Sequence, residues 1–321
     1  MRPNSVKSLW SQNKTASCGW VSCDSPLIAE TMGQSGLDAV VVDMQHGMTD
    51  LQSLPAMLTA LATTAATPFV RLASGAPAEV MKALDAGAYG LICPLVNTAE
   101  QAEALVASAS YPPRGGRSFG PFRAKYYAGD GYLEHANDTV LTMAMIETSE
   151  GFQNLDAILA VEGLDAVFVG PADLALNFGY TPGPEQTYDP LEQAMATILE
   201  QSHKVGKHVG IFCSNGAGAA LRKSQGFDLV VPSNDTYALA SLLKADIDLI
   251  NDACWRLCLR AVTLSRRASE RRIRAIRSPA RSSRLPEYGC CCRHRTHKPA
   301  PEKCPLQGCK ARPRPLSLIA A

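Results

Sequence analysis

Two carboxylates in this chain stand just beyond apolar runs, in Leu141-Thr142-Met143-Ala144-Met145-Ile146-Glu147 and in Ala166-Val167-Phe168-Val169-Gly170-Pro171-Ala172-Asp173. If the two runs are neighbouring strands, both acids emerge on one face. Like charges brought close repel, so either one is protonated or both share a cation. No thiol or paired histidines adjoin them. That points to a hard ion such as Mg²⁺ or Mn²⁺, with water and substrate oxygens completing an octahedron. A glycosidase-like acid/base pair is the competing reading, but aromatic residues make up only 6 % of the chain and the platforms usual for sugars are lacking.

Other polar residues end apolar runs in the same way. His46 follows Val41-Val42-Asp43-Met44-Gln45 and precedes Gly47, where the backbone can turn. An imidazole there suits a general base, and equally a surface histidine in a loop. Arg71 ends Pro68-Phe69-Val70. Its planar fork suits a carboxylate or an enolate oxygen, and the bland alternative is an internal salt bridge to a carboxylate such as Asp43. Gly170-Pro171-Ala172-Asp173 reads as the start of a short helix whose exposed amides could hold a substrate carboxylate, or as a proline turn with no ligand. Asp85, near the end of a helical pattern, reads by itself as a solvated residue.

These positions depend on the elements that carry them. Candidate strands are Gly19–Cys23, Ala39–Met44, Pro68–Leu72, Gly90–Leu95, Val140–Ile146, Ala166–Val169, His208–Cys213 and Leu229–Val231. Most are continuous apolar runs, as expected of parallel strands buried on both faces. Helical patterns lie between them, including Pro77–Ala86, Ala99–Ser108, Phe152–Val161 and Leu191–Lys204. Start signals are Asp24 and Ser25 before Pro26, and Asp189 before Pro190. Gly87 and Gly226 read as helix stops. Eight strands alternating with helices predict an α/β fold, the (β/α)8 TIM barrel. A doubly wound open sheet is second, since no glycine-rich phosphate loop follows the first strand. In a barrel the chemistry belongs at the C-terminal strand ends.

Composition divides the chain. Residues 1–250 carry 14 Lys and Arg against 26 Asp and Glu, whereas residues 251–321 carry 17 against 4. Four of the 11 cysteines lie in the first part, in or beside apolar runs, and seven in the last 71 residues. The reading is a barrel domain over residues 1–253 and an Arg- and Cys-rich tail over 254–321. No apolar run approaches the ~20 residues of a membrane span, and Met1–Lys7 leads into no apolar segment of a secretory signal. A cytoplasmic location is the expectation.

Seven stretches taken together resemble the HpcH/HpaI aldolase family. They are Val42–Gly47, Pro68–Arg71, Leu84-Asp85-Ala86-Gly87-Ala88, Pro94–Thr98, Tyr111-Pro112-Pro113-Arg114-Gly115-Gly116-Arg117, Met145–Thr148 and Val169–Leu174. They occur in the family's order and spacing over about residues 15–253. The resemblance implies a class II pyruvate aldolase on a (β/α)8 barrel of the phosphoenolpyruvate/pyruvate type. Such an enzyme splits 4-hydroxy-2-oxo acids into pyruvate and an aldehyde with a divalent cation (Mg²⁺, Mn²⁺ or Co²⁺) and no organic cofactor. It implies that Glu147 and Asp173 ligate the metal, that Arg71 binds the 2-oxo oxygen, and that His46, oriented by Asp85, handles protons. Gly170, Pro171, Ala172 and Asp173 would meet the pyruvyl carboxylate. The segment Ser118–Asn137, with Arg123, Lys125, Tyr126 and Tyr127, is expected to cover the mouth as a lid. A homo-oligomer, hexamer or trimer, is implied, with a C-terminus altered enough to weaken it. One branch of the family has glutamine where Met145 stands and glutamate where Gln45 stands. Other members match this chain at both, so the departures bear on the substrate more than on the reaction.

The tail carries three readings: a zinc module with poorly matching cysteine spacing, a basic arm for nucleic acid or an anionic surface, or a shifted reading frame, which the reversal of charge and loss of apolar periodicity favour. It is expected to be largely disordered, with one helix across Leu257–Ile276. Two other functions stand beside the aldolase. One is an acyl-CoA lyase of the wider citrate lyase β and malyl-CoA lyase superfamily, for which residues 1–250 offer no basic groove. The other is an inactive barrel whose tail binds nucleic acid.

Overall fold

A computed structural model describes residues 1–183 and 188–251. Eight parallel strands close into a barrel in sequence order. They are β1 (Ala16–Val21), β2 (Ala39–Asp43), β3 (Thr67–Arg71), β4 (Gly90–Cys93), β5 (Leu141–Ile146), β6 (Ala166–Val169), β7 (His208–Phe212) and β8 (Leu229–Val231). The first helix, α1 (Ser5–Trp10), precedes the barrel. Helices α2 (Pro26–Gly33), α3 (Leu54–Leu61), α4 (Pro77–Asp85) and α5 (Ala99–Ala109) follow β1 to β4 in turn. Two more, α6 (Phe122–Ala128) and α7 (Tyr132–Thr139), separate α5 from β5. Then come α8 (Ser149–Gln153) and α9 (Leu155–Leu159), α10 (Pro171–Asn177) and α11 (Asp189–Lys204), α12 (Gly216–Gln225), and α13 (Asp235–Asn251). The predicted (β/α)8 barrel is the observed fold.

Boundaries follow local chemistry. Ser25 caps α2 by accepting from the Ile28 amide, with Pro26 in the first turn. Gly226 ends α12 in the left-handed conformation at φ 106°, which only glycine adopts without strain. Elsewhere the expectation shifts. Asp189 is the first residue of α11 and not its cap, which falls at Tyr188. The helix expected over Phe152–Val161 is the pair α8 and α9, broken at Asn154.

The continuous apolar runs conceal a period of two. Val40, Val42, Val70, Leu91, Ala144, Ile146, Val167 and Val169 face the helices and share one core. Trp20, Val41, Phe69, Ile92, Met143, Met145, Phe168 and Val231 fill the barrel interior. Each fully buried aromatic or aliphatic side chain of this kind contributes on the order of 1.5–3 kcal/mol. Val6 and Trp10 of α1 join the interior core and plug its N-terminal end. The plug is tied down by Trp10 Nε1, which donates to the Asp228 carbonyl at 2.9 Å, and by Ser5 Oγ, which donates to the Asp38 carbonyl at 2.8 Å.

At the other end of the described residues, α13 keeps every residue from Thr236 to Ile250 exposed. Leu239, Leu242, Leu243, Ile247 and Ile250 are 52–64 % exposed. Among the described residues no helix is long and apolar enough to cross a membrane. The expected division at residue 253, the helix across Leu257–Ile276 and the readings of the tail lie outside the described residues.

Candidate active site

Interior parity decides which polar groups meet at the open end. Asp43 lies two residues beyond Val41, Arg71 two beyond Phe69, and Glu147 two beyond Met145, so all three continue the inward-facing series of their strands. They form a polar last layer above an apolar barrel. All three are buried, at 1 %, 7 % and 2 % exposure, where an uncompensated charge is costly.

Arg71 and Asp43 compensate each other. Their strands pair with Asp43 opposite Arg71, and Arg71 Nε donates to Asp43 Oδ1 at 2.8 Å while Nη2 donates to Oδ2. Trp20 Nε1 donates to the same Oδ2 at 3.2 Å, and the Trp20 ring lies 4.8 Å below the guanidinium carbon. Burial alone would raise the Asp43 pKa. The Arg71 hydrogen bonds and charge outweigh it, with Trp20 and the Gln45 amide, and hold this carboxyl below the usual aspartate value. The salt bridge considered for Arg71 therefore exists. It employs Nε and Nη2 and leaves Nη1 for another acceptor.

Glu147 is treated differently. Its Oε1 accepts from the Leu95 amide at 2.8 Å. To present that amide, Leu95 adopts φ 54°, a left-handed conformation that costs a residue with a Cβ on the order of 1–3 kcal/mol. Its Oε2 lies against Gly170, where an added Cβ would stand 2.7 Å from it. Glycine at the end of β6 is thus the space the Glu147 carboxylate occupies. Burial raises the Glu147 pKa, the nearby Asp173 charge adds to the rise, and the Leu95 amide and Arg71 oppose it. Among the described residues neither Glu147 nor Asp173 enters an ion pair.

Asp173 stands in the first turn of α10, three residues past Gly170. The early amides of a helix have no partner within it, so Ala172 and Asp173 present N–H groups beside the carboxylates. Pro171 has none to give. No cluster of three or more His, Cys, Asp or Glu able to hold a metal occurs among the described residues. Two hard carboxylate donors remain, which suits an oxygen-preferring cation that takes its other ligands from water and substrate.

His46 belongs to the same end. Its amide donates to Asp43 Oδ1 at 3.3 Å and its side chain is exposed. A cavity of about 370 Å³ opens among the segments that follow β2 and β3, lined by Met44, Thr49, Asp50, Leu51, Gln52, Ala73 and Glu79. Thr49 Oγ1 and the nearby Gln45 Oε1 are buried without a hydrogen-bond partner.

Other expected members of the site lie elsewhere. Asp85 ends α4, and a helix following a barrel strand runs back toward the N-terminal face. It pairs there with Arg117 Nη2 at 2.9 Å and is not beside His46 of its own chain. The lid expected from Arg123, Lys125 and Tyr126 does not cover this mouth either. Arg123 donates to the carbonyls of Ala86 at 2.9 Å and Leu58 at 2.7 Å, and to Thr59 Oγ1 at 2.9 Å. Those groups lie in the last turns of α4 and α3, the negative ends of the helix dipoles, which attract a cation. Lys125 lies over Phe119, and Tyr126 is 89 % exposed on the same helix. Sequence reasoning missed Trp20, Leu95 and Asn177 as parts of the site. Trp20 could have been found by counting inward positions along β1. Leu95 and Asn177 carry no local signal.

Comparison with known proteins bears on this geometry. The sequence pattern of the HpcH/HpaI aldolase/citrate lyase family matches residues 17–228. A hydroxypyruvate/pyruvate aldolase of Rhizorhabdus wittichii is 43 % identical over 250 residues, 78 % of this chain and 98 % of that protein. A 2-keto-3-deoxy-L-rhamnonate aldolase of Salmonella gallinarum is 34 % identical over 221 residues, 68 % of this chain and 82 % of that protein. Among solved structures, an HpcH/HpaI aldolase/citrate lyase family protein of Burkholderia cenocepacia superposes with a TM-score of 0.72 at 29 % identity, covering 78 % of this chain and all of that one. Barrel, ordered motifs and full-length relatives agree: the chain belongs to the HpcH/HpaI aldolase/citrate lyase family of enzymes.

Proposed function

We propose that the chain is a divalent-cation-dependent aldolase that cleaves 4-hydroxy-2-oxo acids into a pyruvate-type 2-oxo acid and an aldehyde, and joins them in reverse. One observation carries the cation. Two acids follow adjacent strands, one of them buried with its pKa raised chiefly by burial and further by the other's charge, and among the described residues neither enters an ion pair. Glu147 and Asp173 would hold Mg²⁺, Mn²⁺ or Co²⁺, and no organic cofactor is required. A bound cation supplies stabilisation of negative charge developing on the 2-oxo oxygen.

The chain's own residues account for the rest. Asp43 fixes the Arg71 guanidinium so that Nη1 donates to the 2-oxo oxygen, a contact that strengthens as the enolate forms. The first-turn amides of α10, at Ala172 and Asp173 beyond Gly170 and Pro171, receive the substrate carboxylate. A base takes the proton of the C4 hydroxyl, the C3–C4 bond breaks, and the bonding pair passes into the enolate as the aldehyde leaves. A proton returned to C3 completes pyruvate. His46, exposed at the same end of the barrel, is the residue proposed for this transfer. The name of the Rhizorhabdus relative supports hydroxypyruvate as well as pyruvate for the nucleophilic half.

A homo-oligomer is part of the proposal, because the apolar residues of α13 need covering. So is a cytoplasmic location. Purified protein with Mn²⁺ should release pyruvate from a 4-hydroxy-2-oxo acid and stop in EDTA. Undiminished cleavage by Asp173→Ala in the presence of EDTA would refute the cation. Cleavage confined to acyl-CoA thioesters would make the chain a lyase of that kind instead.

A further inference from the structure

The two carboxylates reach the mouth on separate elements, Glu147 after β5 and Asp173 in α10. Their charges oppose each other. With seven residues, α10 is too short to be held by helix propensity. Strand pairing joins the two elements as far as Ile146 and Val169, and the Gly170 amide reaches the Ile146 carbonyl at 3.4 Å. Beyond that point the rings of Phe152 and Phe178 meet at 5.8 Å, and the polar link among the described residues is Asn177.

Asn177 Nδ2 donates to the Asp173 main-chain carbonyl at 3.0 Å and to the Glu147 main-chain carbonyl at 3.4 Å. Its Oδ1 accepts from the Ser149 amide at 3.4 Å, and its own carbonyl accepts from Ser149 Oγ at 3.1 Å. The bond to Asp173 alone would be an ordinary link between residues four apart in a helix. The bonds to Glu147 and Ser149 do nothing for α10 as a helix. They fasten its far end to the segment that carries the other acid.

We propose that Asn177 is a positioning residue for the cation site, holding the main chains of Glu147 and Asp173 at a fixed separation while their side chains repel. This rests on the cation reading above. Asn177 is exposed, so its replacement leaves the barrel core intact. Residues that orient metal ligands typically govern affinity by ~10–100-fold.

The test counts free and bound Mn²⁺ by electron paramagnetic resonance for the full chain and for Glu147→Ala, Asn177→Leu and Asn177→Ala. Thermal midpoints are measured in EDTA alongside. Glu147→Ala should lose binding. Both Asn177 variants should bind Mn²⁺ about 10-fold more weakly, with midpoints within ~2 °C of the parent, as for surface substitutions. Parental affinity in both Asn177 variants, with Glu147→Ala defective, overturns the role of Asn177 and leaves the cation site standing. Parental affinity in Glu147→Ala overturns the cation site and this inference with it. Weaker binding accompanied by a midpoint several degrees lower in EDTA would make Asn177 a general prop and overturn the positioning role.

Discussion

Each end of the barrel buries an arginine paired with an aspartate, and the two pairs are used differently. At the closed end Arg117 is fully covered, stacked against Tyr111 at 4.5 Å, and paired with Asp85 and the Tyr132 hydroxyl. At the open end Arg71 is tied to Asp43 through two of its nitrogens and keeps the third, while Glu147 beside it has no ion-pair partner. The closed end spends its charges on one another. Arg117 Nε is itself buried without a hydrogen-bond partner, so the difference lies in the acids. Asp85 has an arginine, whereas buried Glu147 has the Leu95 amide and no ion pair, which costs stability unless a ligand completes it. Buried charge by itself therefore does not mark a site. A buried acid left without an ion pair does.

The contrast predicts effects of different kinds, and the largest is on activity. Glu147→Gln keeps an acceptor for the Leu95 amide but removes the charge. Cleavage of a 4-hydroxy-2-oxo acid should fall by about 10³-fold, comparable to losing a main electrostatic contact, while urea unfolding in EDTA shows no loss of stability. An equal loss of both would erase the distinction between the two ends.

Arg117→Met should do the reverse at the closed end. Leaving Asp85 without its partner should cost about 3 kcal/mol in urea unfolding, at the low end for a broken buried pair because Asp85 remains partly exposed. Asp85→Asn sharpens the point. An activity loss larger than its stability loss would show that Asp85 serves the chemistry after all.

Gly170→Ala is intermediate. Its Cβ would meet Glu147 Oε2 at 2.7 Å and Glu147 Cβ at 2.9 Å, so the carboxylate must move. Mn²⁺ affinity should drop about 10-fold, at a cost of about 1–3 kcal/mol from overpacking.

The smallest effects are in pH dependence, and the signs oppose. Asp43 has a lowered pKa, so the stability it contributes is present above the ordinary aspartate value and is lost as pH falls through the depressed one. Glu147 has a raised pKa. The folded chain therefore holds that proton more tightly than the unfolded chain does. Without a cation, stability is greatest on the acid side and declines as pH rises from the ordinary glutamate value through the raised one. Mn²⁺ must displace the proton, so affinity should rise with pH over the same interval and proton release should accompany binding. In Glu147→Gln both the decline and the proton release should vanish, while the acid-side loss due to Asp43 stays.

Much of this was legible before any coordinates. Glu147 and Asp173 stand out because each follows an apolar run, and Arg71 ends another, with its pairing to Asp43 as the alternative that the structure contains. The strand runs were read as apolar on both faces, and the alternation within them was not used. Counting by two from Val41, Phe69 and Met145 would have put Asp43, Arg71 and Glu147 in one layer. Leu95 escaped because a leucine gives no sign of a left-handed backbone. Asn177 escaped because its partners are 28 and 30 residues away in sequence. The segment from Ser118 to Asn137 was placed over the mouth, whereas Arg123 anchors it to the far ends of α3 and α4.

The sequence by itself determined the eight strands and the polar residues that end or follow β2, β3, β5 and β6, because strand length and helix stops are set by neighbours along the chain. Only the tertiary structure decided which polar residues share an end. Each helix carries the chain back across the barrel, so Asp85, 14 residues after Arg71, arrives at the opposite face, while Glu147 and Asp173 come near enough to feel each other's charge because their strands pair.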